Sequence, residues 1–564
     1  MNSNFYSELN PNIDYSRKNL RLDGWGSNGH DFFLKDHFLE IKNLLESEWK
    51  LGELQKSPAI PYETRVLPKL RLTKLEISAI QKISPNAYTD DYERTFHSVG
   101  KSYYDVLRLR FNLIKEFPDI VIYPKSKEEI AKLLKYASSK NFAVIPFGGG
   151  SSVVGGVEAT KSRNQKAILC IDLTKMDSLL SLDETSQTAT FQSGIYGPKL
   201  EKLLGERGFT LGHFPQSFEY STLGGWVAAR GSGQQSSRYG RIEKMVNSLE
   251  LVTPEGEIKT WKLPAYSTGP DLNQIIVGSE GTLGVITEVT VKIHKLPETR
   301  KYVGFLFPSF TQGVNFIREV NHNGIKVSML RLSDEDESRL FGNLANLGKT
   351  SSLYRTIKQK FIQKILDVNG VGGNKSVLLC GLDGSEEEVN SSLNRIQKIA
   401  KSFQGFYAGE KPGLSWLKTR YNMPFLRNHL LENGIGVDTL ETSITYDKIF
   451  YLYEGVTKAI RSSMPILSSM CHVSHSYIDG ASLYFTITFP LDIKNPIAQW
   501  TKMKSTATDA IFSLGGSVSH HHGIGLDHKK WYIKTLEATS EKALKGFKSG
   551  LDPKNIMNPG KLFS

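Results

Sequence analysis

The spacing of apolar positions changes along this chain. Between residues 1 and about 110 it is mixed: "DHFLEIKNLLESEWKL" repeats apolar residues at helical intervals, whereas "GWGSNGHDFF" and charged connections interrupt it. From Pro118 the apolar residues gather into short runs, "DIVIYP", "FAVIPF" and "AILCIDL". These predict buried strands, with "KEEIAKLLKYASSKN" as a helix between the first two. The pattern predicts an α+β domain running to "GVITEVTVKIHKLPE", and residues 300 to about 505 alternate strand-like and helix-like pieces into a second one. Glycine turns return in the last sixty residues, which end in "LDPKNIMNPGKLF". With no repeat and no low-complexity linker, the parts are expected to pack closely. The expected division is a partly helical region over 1–110, a first α+β domain over 111–298, a second over 299–505 and a C-terminal segment over 506–564.

Composition narrows the class. The chain has 564 residues, 39% hydrophobic and 23% charged, which is ordinary globular composition and ample for more than one core. Cys170, Cys380 and Cys471 are far apart and form no CxxC, so neither a disulfide framework nor a zinc ribbon is expected. No run approaches the roughly 20 apolar residues of a membrane span. The N-terminus lacks the apolar stretch of a secretory signal, and "GKLFS" is not a terminal SKL, so an intracellular, cytoplasmic or peripheral membrane location is expected. A formal charge of +12 favours anionic partners. The basic residues are dispersed and no zinc-finger spacing or RNP-like motif occurs, so no nucleic-acid partner is expected.

Candidate chemistry lies in glycine loops and one histidine run. "VIPFGGGSSVVGG" places Gly148, Gly149 and Gly150 directly after an apolar run, where missing Cβ atoms let backbone amides approach a pyrophosphate. Residues 215–233 and 267–288 add two more loops of small and hydroxylated residues. Other nucleotide motifs fail on spacing: GxGxxG meets Val153, and a P-loop ending in Gly100-Lys101-Ser102 meets Thr95. "SHHHGIG" sets His520, His521 and His522 before two glycines, a composition open to proton transfer, metal ligation or anion binding. Successive side chains diverge, so only one or two of the three can face one pocket. Cys471, His472 and His475 in "CHVSH" have no obvious further ligand, and no metal is expected.

These loops in this order, with "GWGSNGHDFF", "STLGGWVAARGSG", "STGPD", "GSEGTLGVITE", "LRLSD", "PFLRN", "LETS", "SHHHGIG" and "DPKNIMNPGKL", resemble the flavoproteins typified by vanillyl-alcohol oxidase and p-cresol methylhydroxylase. Within that group the chain is most similar to the alkyldihydroxyacetonephosphate synthases. The resemblance implies an α+β fold: a two-lobed PCMH-type FAD-binding domain, an α+β cap, a helical N-terminal region and a C-terminal segment bearing the histidine triplet. It implies non-covalently bound FAD and replacement of the acyl chain of acyl-dihydroxyacetone phosphate by a long-chain fatty alcohol, through a flavin N5 adduct with no net redox change. By position, FAD would be held by Pro146, Gly148, Gly149, Gly150, Ser151, Ser152, Ser217, Ser221, Thr222, Gly224, Gly225, Glu280, Gly281 and Ile286. Arg427 would meet an anionic group, Tyr484 would carry a proton to the leaving carboxylate, and His521 would exchange a proton with substrate. His520 and His522 would donate to phosphate or flavin oxygens, and Arg331 and Lys529 would help hold the phosphate. Asn428 stands where relatives carry aspartate. The resemblance also implies a homodimer.

Two other functions compete. FAD-dependent D-2-hydroxyacid dehydrogenases also end in HGIG, but with GEHGIG and GDGNxH supplying metal ligands; here His521 stands at the glutamate and "ASLY" follows Asp479-Gly480. A non-catalytic FAD- or lipid-binding protein would keep the scaffold without exchange activity. Finally, "SLYRTIKQKFIQKILDV", residues 352–368, has one apolar helical stripe and basic residues elsewhere around the turn, which predicts peripheral contact with anionic membrane.

Overall fold

The computed structural model describes residues 13–32, 35–49, 54–344, 367 and 372–563. The apolar runs after Pro118 become Ile120–Ile122, Ala143–Phe147 and Ile168–Asp172, which pair in parallel, while Ala87–Tyr88 adds an antiparallel edge. Helix Lys127–Lys140 makes the crossover: the Ser126 hydroxyl accepts the Glu129 amide, and Asn141 ends the helix in the left-handed region. Ile130, Leu133, Leu134 and Ala137 pack on Ile120, Val144 and Leu169. Each such leucine or isoleucine contributes roughly 2 kcal/mol relative to exposure.

A second, antiparallel sheet of five strands has Val285–Lys292 at its centre, between Thr188–Gln192 and Val246–Val252. A seven-stranded antiparallel sheet spans Thr299 to Pro490 in the order Phe406–Gly409, Thr299–Phe307, Ser376–Gly384, Met329–Ser333, Ser468–Ser476, Gly480–Pro490, Ile435–Thr445. Its strands alternate. Leu483, Phe485, Ile487 and Phe489 enter the apolar core under helices Phe310–His322, Glu386–Ser402, Ile449–Ser463 and Pro496–Ser513, so Tyr484 and its polar neighbours lie on the opposite face.

The expected four-part division needs correction at both ends. Residues 54–110 are not a separate region: Ala87–Tyr88 belongs to the first sheet, and Leu72, Ile80 and Ala87 to its core. The C-terminal segment is shared. Helix Pro496–Ser513 packs on Ile449–Ser463 of the cap, whereas Ile556 and Met557 enter the first core and Met557 bridges to Val144. The three cysteines are buried and free. Among the described residues no helix is long and apolar enough to cross a membrane. The amphipathic stretch 352–368 lies outside the described residues, apart from Asp367.

Candidate functional site

The glycine turn leaves strand Ala143–Phe147 and presses on the second loop. A Cβ at Gly149 would overlap the Tyr220 carbonyl, and one at Gly148 the Thr222 hydroxyl, so only glycine allows this approach. Gly281, at φ +72°, packs on Pro146 and brings in the third loop. Behind the turn, Arg17 donates to the Gly148 carbonyl at 3.1 Å and the Tyr196 hydroxyl at 3.0 Å and forms a buried ion pair with Asp172. The amides of Gly149 and Gly150 have no acceptor among the described residues, and the buried Ser279 hydroxyl has no partner there. Open amides on a glycine turn fit the pyrophosphate of FAD.

Other residues in the cofactor set are tied locally. Thr222 caps helix Leu223–Ala229 by accepting the Gly225 amide, and Gly224 donates to the Ser193 carbonyl at 2.7 Å. The Ser221 hydroxyl accepts the Trp226 indole at 2.6 Å and bonds Ser217, and Ser152 accepts the Gly156 amide at 2.9 Å. Ile286 is buried and its carbonyl accepts from Ser193, while Ser151 is half-buried beside the turn. Glu280 plays a different part from the one expected. Its carboxylate accepts the Ile524 and Gly525 amides at 2.5 and 2.7 Å, its amide donates to Ala228 and its carbonyl accepts Asn558. Every polar group of Glu280 is thus committed within the protein, where it bolts the third glycine loop to the segment after the histidines.

The histidine run is held by the glutamate of the "LETS" motif, to which the sequence assigned no role. Glu441, 1% exposed on strand Ile435–Thr445, accepts the Ser519 hydroxyl and the backbone amides of His520, His521 and His522. Burial works against its charge, but the histidine loop with its amides holds the carboxyl well below the usual range. Burial lowers His521 to about 3 and His522 to about 4, so both imidazoles are neutral at physiological pH. Tyr484 lies directly across from Glu441 in the sheet register. Its ring stacks toward His521 at 6.1 Å and meets His522 edge-on at 5.6 Å. Burial pushes its pKa up to about 12, which keeps the phenol protonated as a donor.

His475, His520 and His521 bring ring nitrogens within 4.8 Å of one another. The set considered from sequence does not form, because alternation sends Cys471 into the apolar core. Five of the six nitrogens in the observed trio already have partners: His475 meets Gly233 and Ser474, His520 meets Tyr477, and His520 meets His521 through Nδ1 at 2.9 Å. The sixth, His521 Nε2, has no hydrogen-bond partner among the described residues. Within that trio His521 is the one left able to accept from a ligand, and the ring nitrogens of His522 likewise make no hydrogen bond among the described residues.

Arg427, on helix Met423–Glu432, donates Nη2 to the Lys101 carbonyl at 3.0 Å, and its buried Nε has no partner among the described residues. It lies within the electrostatic reach of Tyr484. Asn428 does not serve Arg427. Its carbonyl accepts the Trp25 amide at 2.9 Å and its amide donates to the Trp25 carbonyl at 3.0 Å, clamping the "GWG" segment onto the cap. Arg331 stands on the same sheet face as Tyr484 but is paired, its Nη2 lying 3.1 Å from Glu337. Lys529 donates to the Gly560 carbonyl at 2.9 Å, with Lys545 within its electrostatic reach. His213 was also missed. It is fully buried against Trp226, with both ring nitrogens unpartnered among the described residues and a pKa lowered to about 3 by burial. Glu441 lies in the "LETS" motif, which gave it no role, and His213 in none of the quoted motifs; register and packing give both their place.

Comparison with known proteins agrees with this geometry. Residues 118–262 match the family model described as an FAD binding domain, and 296–562 match the C-terminal domain of FAD linked oxidases. The alkyldihydroxyacetonephosphate synthase of Trypanosoma brucei brucei is 34% identical, covering 94% of this chain and 86% of the relative. That of Caenorhabditis elegans is 37% identical, covering 82% and 79%. A solved alkyldihydroxyacetonephosphate synthase structure superposes with a TM-score of 0.81 at 30% identity, covering 97% of this chain and 98% of the other. p-Cresol methylhydroxylase, at 14% identity and TM-score 0.65, covering 88% and 98%, shares the fold. The mitochondrial D-lactate dehydrogenase of Arabidopsis thaliana is more distant, at 28% over 86% and 79% of the two chains. FAD is the cofactor these glycine loops accommodate, and the chain belongs to the alkyldihydroxyacetonephosphate synthase family of FAD-linked flavoproteins.

Proposed function

We propose that this protein exchanges the acyl chain of an acyl-dihydroxyacetone phosphate for a long-chain fatty alcohol, without net redox change, in the synthesis of ether lipids. The observation that carries this reading is the pairing of a protonated phenol, Tyr484, with a neutral imidazole, His521, whose Nε2 has no hydrogen-bond partner among the described residues. The exchange breaks one C1–O bond to the acyl group, forms one to the alkyl oxygen, and carries one proton from the alcohol to the departing carboxylate. Bound FAD supplies redox-neutral covalent chemistry at its isoalloxazine ring. The protein supplies proton transfer and position. Tyr484, protonated at neutral pH, donates to the oxygen of the leaving carboxylate as the C1–O bond breaks. His521 Nε2 takes a proton from the dihydroxyacetone substrate and returns it within the cycle, with no net transfer, and Glu441 fixes the loop that aims it. Arg427, a permanent cation with an open Nε, receives the phosphate or carboxylate. His520 and His522 line the same loop and offer donors to substrate or cofactor oxygens. The pyrophosphate of FAD rests on the Gly148–Gly150 turn.

The test incubates FAD-loaded protein with palmitoyl-dihydroxyacetone phosphate and labelled hexadecanol, and in parallel with D-lactate and a dye acceptor. Ether product without dye reduction is expected. Dye reduction without ether product would replace this reading with the dehydrogenase. Peripheral contact with anionic membrane belongs to the same proposal, supported by the charge of +12 and by the lipid character of both substrates; assembly as a homodimer and an intracellular location are proposed with it from the resemblance alone.

A further inference from the structure

A carboxylate–histidine pair outside the histidine triplet stands beside Tyr484. Strand pairing sets Ser333, His472, Tyr484 and Glu441 in one row across four strands, all on the face away from the helices. The His472 ring stacks on the Tyr484 ring with centroids 4.9 Å apart and planes 19° from parallel. Its Nδ1 lies 2.9 Å from Glu337 Oε1, and Arg331 Nη2 reaches the same oxygen at 3.1 Å. Burial opposes the Glu337 charge, but Arg331 and His472 hold its carboxyl at about 2, so Glu337 acts as a fixed acceptor. Arg331 Nη2 also lies 3.2 Å from His472 Nδ1, but the contact to Glu337 is the shorter and an ionised carboxylate can only accept, so Nδ1 carries the ring proton and gives it to Glu337 while the guanidinium serves the carboxylate. The tautomer is thereby set. The Nε2 lone pair is left without a partner among the described residues, on a side chain that keeps 12% exposure. The phenol thus has two imidazoles near it, His472 at 4.9 Å and His521 at 6.1 Å between ring centroids.

The exchange moves protons in two directions, and neither Tyr484, which serves the carboxylate, nor His521, which exchanges a proton with the dihydroxyacetone substrate, is assigned to the alcohol. The departing carboxylate gains a proton from Tyr484, while the incoming alcohol must lose one. We propose that His472, oriented by Glu337, is the base that takes the hydroxyl proton of the fatty alcohol. The O–H bond breaks, its proton passes to His472 Nε2, and its electron pair stays on the oxygen that bonds C1. The C1–O bond to the acyl group breaks with its pair on the carboxylate, which Tyr484 protonates. The imidazolium proton then returns to the phenolate, closing the cycle. Arg331 serves as a positioning residue for Glu337 instead of a direct phosphate ligand. This inference rests on the exchange reading above.

Two measurements separate the inference from that reading. Incorporation of labelled palmitate into palmitoyl-dihydroxyacetone phosphate needs no alcohol; formation of ether from labelled hexadecanol does. In FAD-loaded His472→Gln, ether formation should fall at least a hundredfold while palmitate exchange stays within threefold of wild type. In His472→Ala, added imidazole should restore ether formation at least tenfold, and it should restore nothing in Tyr484→Phe. Glu337→Gln, which keeps the size of the partner and removes its charge, should lower ether formation about tenfold with FAD retained. Undiminished ether formation in His472→Gln, or an equal fall in both reactions without imidazole rescue, would leave His472 a packing residue. Absence of ether product in the wild type would defeat the exchange reading itself.

Discussion

At the scale of residues, three side chains decide whether the site can exist. Glu441 accepts three successive backbone amides and one hydroxyl with a single buried carboxylate. Glu441→Gln keeps one carbonyl acceptor but sets an amide group against those donors, at a cost of about 2 kcal/mol. Activity should fall at least tenfold, with a lowered midpoint in urea unfolding followed by flavin fluorescence. Tyr484→Phe removes the proton donor without removing the ring that packs on His472, so exchange should drop about 10²–10⁴-fold. The flavin absorbance should persist; its loss would show that Tyr484 is needed for the scaffold rather than for the chemistry. Asn428 matches a whole peptide group, one donor and one acceptor, at Trp25. Asn428→Ala strands both and should loosen the N-terminal segment by about 1–3 kcal/mol, visible as faster proteolysis ahead of residue 32.

At the scale of elements, the seven-stranded sheet does two jobs because its period is two. Odd positions of strand Gly480–Pro490, such as Leu483 and Phe485, face the helices and supply the core, while Tyr484 between them faces the site. A one-residue slip would exchange the two sets, so the apolar face fixes the register of the chemical face. The loop after the histidines depends on a single conformation. Gly525 has φ +54°, and a Cβ there would overlap the Val154 carbonyl. Gly525→Ala should displace the loop from Glu280 and cost exchange activity more than tenfold, with far-ultraviolet circular dichroism unchanged. A fully active Gly525→Ala would show that the loop position tolerates movement.

At the scale of the whole molecule, cofactor and protons act on a chain whose ends are shared between lobes. FAD binds only the folded state, so saturation at a hundred times its dissociation constant should add about 2.7 kcal/mol, read as a raised melting temperature. Acid should act in the opposite sense. Burial holds His213, His475 and His521 at about 3 and His522 and His528 at about 4, against roughly 6.5 when unfolded. Between about pH 6.5 and 4 the unfolded chain therefore binds more protons than the native one. Stability is complete above that window and falls through it by at most about 1.4 kcal/mol per pH unit per histidine. The melting temperature should fall from pH 7 to pH 5. His528→Asn, which can still donate to the Gly523 carbonyl and does not titrate, should flatten that slope. The sequence by itself determined what local spacing encodes: the α+β alternation, the glycine turns, the histidine triplet and, through its chain of motifs, the family and its cofactor. Tertiary structure decided what depends on residues far apart in the chain. Glu441 reaches His520 across 79 positions, Asn428 reaches Trp25 across 403, and His472 meets Tyr484 only through strand pairing. Spacing could not reveal those partnerships, because a hydrogen bond is a relation in space and the folded core sets which distant groups come within its reach.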